Sequence, residues 1–257
     1  MSIKVEGADV EYMKFSAGEP HVKVTNIKEK VEITWNFENF EELMYVAMIA
    51  NVLFRKTVTI LELPYVPFAR QDRATTPEQP FSLRVFCNFL NNLQLDELIV
   101  SDVHSDVFFT WVDPASFKVT HLSQVECLDK LLLDRTVEYD CVIAPDKGAM
   151  KKAKQIADGL LGAPLICATK VRDPLTGQLS SPTIDFGDLK PKRALIPDDL
   201  LDAGGTFIQL ADVIKQQFPD IKLDLYVTHG IFSRGTKELK KRFESIYVYN
   251  NMSKEVL

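Results

Sequence analysis

The sequence predicts an α/β protein of two units, each a mainly parallel sheet flanked by helices. Short β-branched runs alternate along the chain with longer segments whose apolar residues recur at helical spacing, the pattern of parallel α/β architecture. A boundary around Pro114–His121 gives each half several strands of its own, which divides the 257 residues into units 1–117 and 118–257. No repeat with a period of roughly 20–50 residues and no low-complexity tract competes with that division.

Taken in order, Val22–Ile27 and Val31–Trp35 are short runs rich in valine and isoleucine and read as strands. Phe40–Phe54 keeps a helical apolar period and is the first helix; Val58–Leu63 is the next strand. Ser82–Leu93 reads as a helix leading to a strand at Leu98–Asp102. In the second half, a short helix at Leu128–Leu133 precedes a strand at Tyr139–Ala144, a helix at Lys151–Leu161 and a strand at Leu165–Thr169. Strands at Ala194–Pro197, Leu223–Thr228 and Ser245–Tyr249 complete the pattern, with helices at Thr206–Phe218 and Lys237–Phe243 between them. Between Thr169 and Ala194 lies RDPLTGQLSS, Arg172–Ser181, rich in turn formers and poor in apolar anchors, as a loop closing over a site would be.

Composition narrows the class. With 46% hydrophobic and 26% charged residues the chain is an ordinary globular protein. No apolar run approaches the roughly 20 residues that cross a bilayer. The start, MSIKVEGADVEYMKF, has no basic segment followed by an apolar stretch, so no secretory signal is expected and the cytoplasm is the expected compartment. A net charge of −6 without a lysine or arginine block does not indicate a nucleic-acid surface and leaves room for a local basic site for phosphate. The four cysteines, Cys87, Cys127, Cys141 and Cys167, lie far apart and form neither a zinc pattern nor a disulfide framework.

The most informative stretch is RALIPDDLLDAGGTFIQLADVIKQ. An apolar strand runs into Asp198 and Asp199, then Asp202, then Ala203 and a Gly204-Gly205-Thr206 turn that opens an amphipathic helix. Glycines let the backbone approach an anion, and the free amides and dipole of a helix N-terminus neutralise it. Asp198 and Asp199, at the strand's end, are placed to accept sugar hydroxyls or to hold a hydrated magnesium ion. A plain capped helix after a strand is the alternative. This segment resembles the phosphoribosyl-pyrophosphate-binding motif of phosphoribosyltransferases and of the synthetases that make their donor, in which two acids and two apolar residues precede Asp-Thr-Gly-Gly-Thr. The chain departs from it at Ala203, where threonine is usual.

PYVPFARQDR (Pro64–Arg73) and SDVHSD (Ser101–Asp106) resemble the paired PYxxYARQDR and DLH segments of the ribose-phosphate pyrophosphokinase family, which ordinary phosphoribosyltransferases lack. The resemblance implies two phosphoribosyltransferase-like (type I) domains. It also implies that Arg70, Gln71, Asp72 and Arg73 bind ATP, through cationic forks for the triphosphate and amide-type partners for adenine. His104 would join ATP binding and catalysis at magnesium. VIAPDKGAMKKAKQIADGL resembles the family's SPDxGG segment, which implies that Asp146 shares the metal with His104, although Asp146 could instead cap the helix that follows. Lys170 and Arg172 match the Lys-x-Arg of the family's flexible catalytic loop, placed to stabilise a transferring diphosphoryl group.

KFSAGEPHVKV resembles the RFSDGExxVxI segment that receives a neighbouring subunit's adenine, which implies Phe15 and Glu19 as ATP contacts, with Ala17 in place of the usual aspartate. YVTHGIFSRG resembles the THxxFSG turn with Arg234 inserted. The resemblance implies transfer of the β,γ-diphosphoryl group of MgATP to ribose 5-phosphate by a homodimer or homohexamer, with two phosphate-gripping loops facing one cleft and a metal between. Ala203 leaves room for ADP-ribose as acceptor, for NAD synthesis. Ala17 and Ala203 together suit a catalytically silent, synthetase-like subunit.

Overall fold

In a computed structural model the chain divides into two units, Met1–Leu122 and Ser123–Leu257. The structure describes residues 2–131, 137–169 and 182–253. Lys170 and Arg172, the polar stretch 172–181 and the end of the expected helix at Leu132 and Leu133 lie outside them.

The first unit begins with β1 (Ile3–Glu6), a hairpin of β2 (Asp9–Lys14) and β3 (Pro20–Thr25), and β4 (Lys30–Trp35). Helix α1 (Glu41–Leu53), β5 (Val58–Leu63), α2 (Ser82–Asn91), β6 (Glu97–Ser101), the short α3 (Phe108–Trp111) and β7 (Lys118–Leu122) follow. Its sheet runs β1-β4-β5-β6-β7, parallel except for antiparallel β1, while β2 and β3 pair only with each other. Alternation explains β4: Val31, Ile33 and Trp35 are fully buried and the residues between them are not. Strands β1, β2 and β7 go beyond the sequence expectation. Each is short and carries polar residues at many positions, so the apolar signal that marks a buried strand is weak. Because β7 pairs with β6 from Glu97↔Lys118 to Ser101↔Leu122, the first unit extends to Leu122, five residues past the expected boundary.

The second unit opens on α4 (Gln124–Leu131), four residues ahead of the expected start. A reciprocal cap explains the shift: the Ser123 amide donates to Glu126 Oε2 at 2.7 Å, and the Glu126 amide donates to Ser123 Oγ at 3.3 Å. Next come β8 (Cys141–Ala144), α5 (Met150–Ile156) continuing into a π-turn at Ala157–Leu161, β9 (Leu165–Cys167) and β10 (Arg193–Leu201). Helix α6 (Gly205–Gln217), β11 (Lys222–Gly230), α7 (Lys237–Lys240) and β12 (Ser245–Asn251) complete it. All five strands are parallel, in the order β12-β11-β10-β8-β9. All four residues of β8 are buried, as a strand covered on both faces requires.

The N-terminal edge of this sheet is held by Asp224, which is fully buried. It accepts Tyr139 Oη at 2.8 Å, Arg193 Nε at 2.8 Å and the Ser245 amide at 3.0 Å, with Arg193 Nη2 at 2.7 Å. A buried acid with so many donors is a structural joint. Among the described residues no helix is long and apolar enough to cross a membrane.

Candidate active site

In the first unit β5 leads into the loop Pro64–Arg73. Val66 and Ala69 are buried and root the loop in the core. Phe68 adopts φ 64, a left-handed conformation that costs a residue with a Cβ about 1–2 kcal/mol. It is held there by the rings of Phe40 and Phe86, with centroids 5.6 and 5.9 Å away. Beyond this bend Arg70, Gln71 and Arg73 are exposed, and with Asp72, Thr75 and Gln79 they line a concavity of about 380 Å³. That volume and a wall carrying two guanidinium groups suit a polyanionic ligand of nucleotide size.

The second motif follows β6. The buried Asp102 takes φ 39, and its amide donates to the Leu122 carbonyl at 2.7 Å. The backbone thus turns and leaves His104 exposed at the sheet's C-terminal edge. Ser105 Oγ donates to Asp72 Oδ2 at 2.8 Å, and Asp72 Oδ1 lies 3.4 Å from Arg73 Nε. Asp72 therefore ties the two motif segments together and orients an arginine of the cationic wall.

Phe15 stands just past β2 in the turn of the hairpin. Its amide donates to the Glu19 carbonyl at 2.8 Å, and its ring lies 5.5 Å from that of His21. Both Phe15, 56% exposed, and Glu19 face solvent.

In the second unit the expectation that the strand stops at Pro197 is corrected. Pairing with β11 continues to Leu201↔Gly230, so Asp198 and Asp199 lie within β10. Asp199 is buried; its amide donates to Asp198 Oδ1 at 2.9 Å, and its Oδ2 accepts Lys152 Nζ from α5 at 3.1 Å. Burial, then the charge of Asp199, pushes the Asp198 carboxyl up to about 8. Unlike Asp224, this acid sits where negative charge is in excess.

After β10 the chain turns through Asp202 and Ala203. The Asp202 carbonyl accepts the Ser233 amide at 3.2 Å, so the turn that follows β11 braces the loop. Gly204 caps α6 with φ 75, and a Cβ there would lie 3.3 Å from Leu239. At Gly205, which is exposed, a Cβ would meet no protein atom within 4 Å. The amides of Gly205, Thr206 and Phe207 open a 13-residue helix, the arrangement that binds anions. Ala203 and Thr206 are half-buried beside it.

Asp146 follows β8. Its Oδ1 accepts the Ala149 amide at 3.1 Å, so it closes the turn that leads into α5, and a Cβ at Gly148 would press 3.1 Å from the same oxygen. Its charge also contributes to the rise at Asp198. Carboxylate oxygens in a field of excess negative charge are a donor set suited to a hard divalent cation. Among the described residues no group of three or more His, Cys, Asp or Glu side chains forms a ready-made metal cage, so a cation here would take its remaining ligands from water or substrate.

The predicted residues thus fall into local sets: Arg70–Arg73 with the His104 turn through Ser105, and Asp198–Thr206 with α5. Sequence reasoning missed Lys152. It lies in a run with Lys151 and Lys154 that reads as a solvated helix face, and only its spacing of six residues from Asp146 set it apart. It also missed Ser105 as the partner of Asp72.

No protein-family model matches the chain. It is 30% identical to the ribose-phosphate pyrophosphokinase of Pyrococcus abyssi over 255 residues, covering 96% of this chain and 86% of that protein. The ribose-phosphate pyrophosphokinase of Pyrococcus furiosus is 28% identical over 250 residues, with coverages of 95% and 86%. Among solved structures, the phosphoribosylpyrophosphate synthetase from Mycobacterium smegmatis shares the fold. It superposes with a TM-score of 0.74 at 23% identity, covering 94% of this chain and 80% of that one.

Proposed function

Since the chain belongs to the ribose-phosphate pyrophosphokinase family, we propose that it transfers the β,γ-diphosphoryl group of MgATP to the C1 hydroxyl of ribose 5-phosphate. The products are phosphoribosyl pyrophosphate and AMP. The observation that carries this reading is that one chain holds both a cationic concavity at Arg70–Arg73 and a carboxylate–glycine turn opening α6. A phosphoribosyltransferase needs only the second.

Arg70 and Arg73 hold the triphosphate, and Gln71 offers an amide to the base. Asp72, braced by Ser105, keeps Arg73 aimed. Asp198 and Asp199 accept the ribose hydroxyls, while the amides at the start of α6 take the 5-phosphate. The C1 oxygen attacks the β-phosphorus and its proton is released. The bond from that phosphorus to the oxygen bridging to the α-phosphate breaks, and AMP leaves with that oxygen. Lys170 and Arg172 offset the charge on the transferring group. Asp146 and His104 are the proposed holders of magnesium, which when bound neutralises phosphate charge. Phe15 and Glu19, exposed on the hairpin, contact the adenine of ATP bound to a neighbouring subunit in a homodimer or homohexamer.

A second acceptor has its own support. Ala203 supplies no hydroxyl beside the turn, and the space over Gly205 is open, which accommodates the diphosphate of ADP-ribose. Purified protein is incubated with MgATP and either acceptor, and AMP is measured by chromatography. AMP with ribose 5-phosphate is the expected result. AMP with ADP-ribose alone moves the assignment to that acceptor, and ATP binding without AMP formation from either marks a silent subunit and overturns the reading.

A further inference from the structure

Lys152 is placed where local physics disfavours it. It is the third residue of α5, and a cation in the first turn of a helix opposes the positive end of the backbone dipole. Its neighbours in the run behave as surface lysines do: Lys151 is exposed, and Lys154 pairs with Asp158 on the same helix at 2.7 Å. Lys152 instead turns inward, with only 25% of its side chain exposed, onto an Asp199 side chain that is 11% exposed. A carboxylate so enclosed is costly without a counter-charge, more so with a second acid as its chain neighbour. Asp146 closes the turn that leads into the same helix, so Lys152 links the segment after β8 to the carboxylates of β10.

We propose that Lys152 is a positioning residue for the sugar-phosphate acceptor, acting through Asp199: its ammonium fixes the Asp199 carboxylate and offsets its charge. A hydroxyl of the acceptor can then donate to Asp199 without its phosphate meeting an uncompensated carboxylate. This inference rests on the reading that Asp198 and Asp199 bind the ribose. It adds a residue from outside the Asp198–Thr206 segment.

The test begins with wild-type AMP formation, which judges the functional reading by itself; a wild type that neither turns over nor binds ribose 5-phosphate sinks both. Binding of ribose 5-phosphate alone is then measured by calorimetry in EDTA, so that neither nucleotide nor metal contributes. Lys152→Met should weaken it about tenfold, with Lys152→Arg within about threefold of wild type. Where Lys152→Met does not melt as a folded protein, Lys152→Gln carries the same comparison. In steady state the KM for MgATP should stay within about twofold, since the arginine wall is untouched. Acting through Asp199 means that Lys152→Met adds almost nothing to Asp199→Asn in the double variant. Wild-type affinity in the charge-removing variant, or losses that multiply in the double variant, would falsify the proposal while leaving the functional reading intact.

Discussion

At Gly204 a side chain would have to accept φ 75 and press within 3.3 Å of Leu239, whereas at Gly205 it would meet no protein atom within 4 Å. The two substitutions should therefore separate. Gly204→Ala is expected to cost about 1–2 kcal/mol in denaturant melts. Gly205→Ala should melt like wild type yet raise the KM for the sugar phosphate, because its methyl group fills the space that the proposed reading gives to the phosphate. An unchanged KM would place the phosphate elsewhere. Asp198 makes a prediction about pH. Its folded carboxyl titrates near 8 against an ordinary 3.8, so between those values the folded chain binds a proton that the unfolded chain does not. This contribution to stability is fully present below about 4 and is lost as pH rises through about 8. Thermal melts of wild type and Asp198→Asn across that window should diverge, with wild type gaining stability relative to the variant on acidification. Parallel curves would mean that Asp198 is ionised throughout.

Helix α4 shows what element-level reading caught and what it lost. The apolar period pointed to Leu128 as the start, while the actual start is set by the Ser123–Glu126 reciprocal cap, a local signal present in the sequence. Removing it by Ser123→Ala should lower stability by about 1 kcal/mol in chemical denaturation, and no loss would show the helix held by packing alone. The parallel strands β5, β10 and β11 were legible because burial on both faces makes them apolar runs. Their ends were less so. Adjacent carboxylates ordinarily mark the end of a strand, yet β10 carries Asp198 and Asp199 inside it, where Lys152 and pairing with β11 support them. Short α3 and the strands β1, β2 and β7 lack the length or periodicity that distinguishes them from loop.

For the whole molecule, two α/β units were readable because alternation of strand and helix is a property of the chain at every position. The motifs were readable because each is contiguous: the arginine loop, the His104 turn and the carboxylate–glycine turn are short segments. The links that hold them were not. Ser105 reaches Asp72 across 33 residues, and Lys152 reaches Asp199 across 47, and composition and spacing do not pair such residues. The hairpin turn carries a further consequence. A phenylalanine ring left 56% exposed within its own chain keeps much of its apolar surface in water, and the proposed contact with a neighbouring subunit's nucleotide would cover it. Turnover per subunit should then fall on dilution into the nanomolar range and return on concentration. In Phe15→Ala it should be depressed at every enzyme level, and a progress curve linear in enzyme down to the lowest level would show that each subunit works by itself.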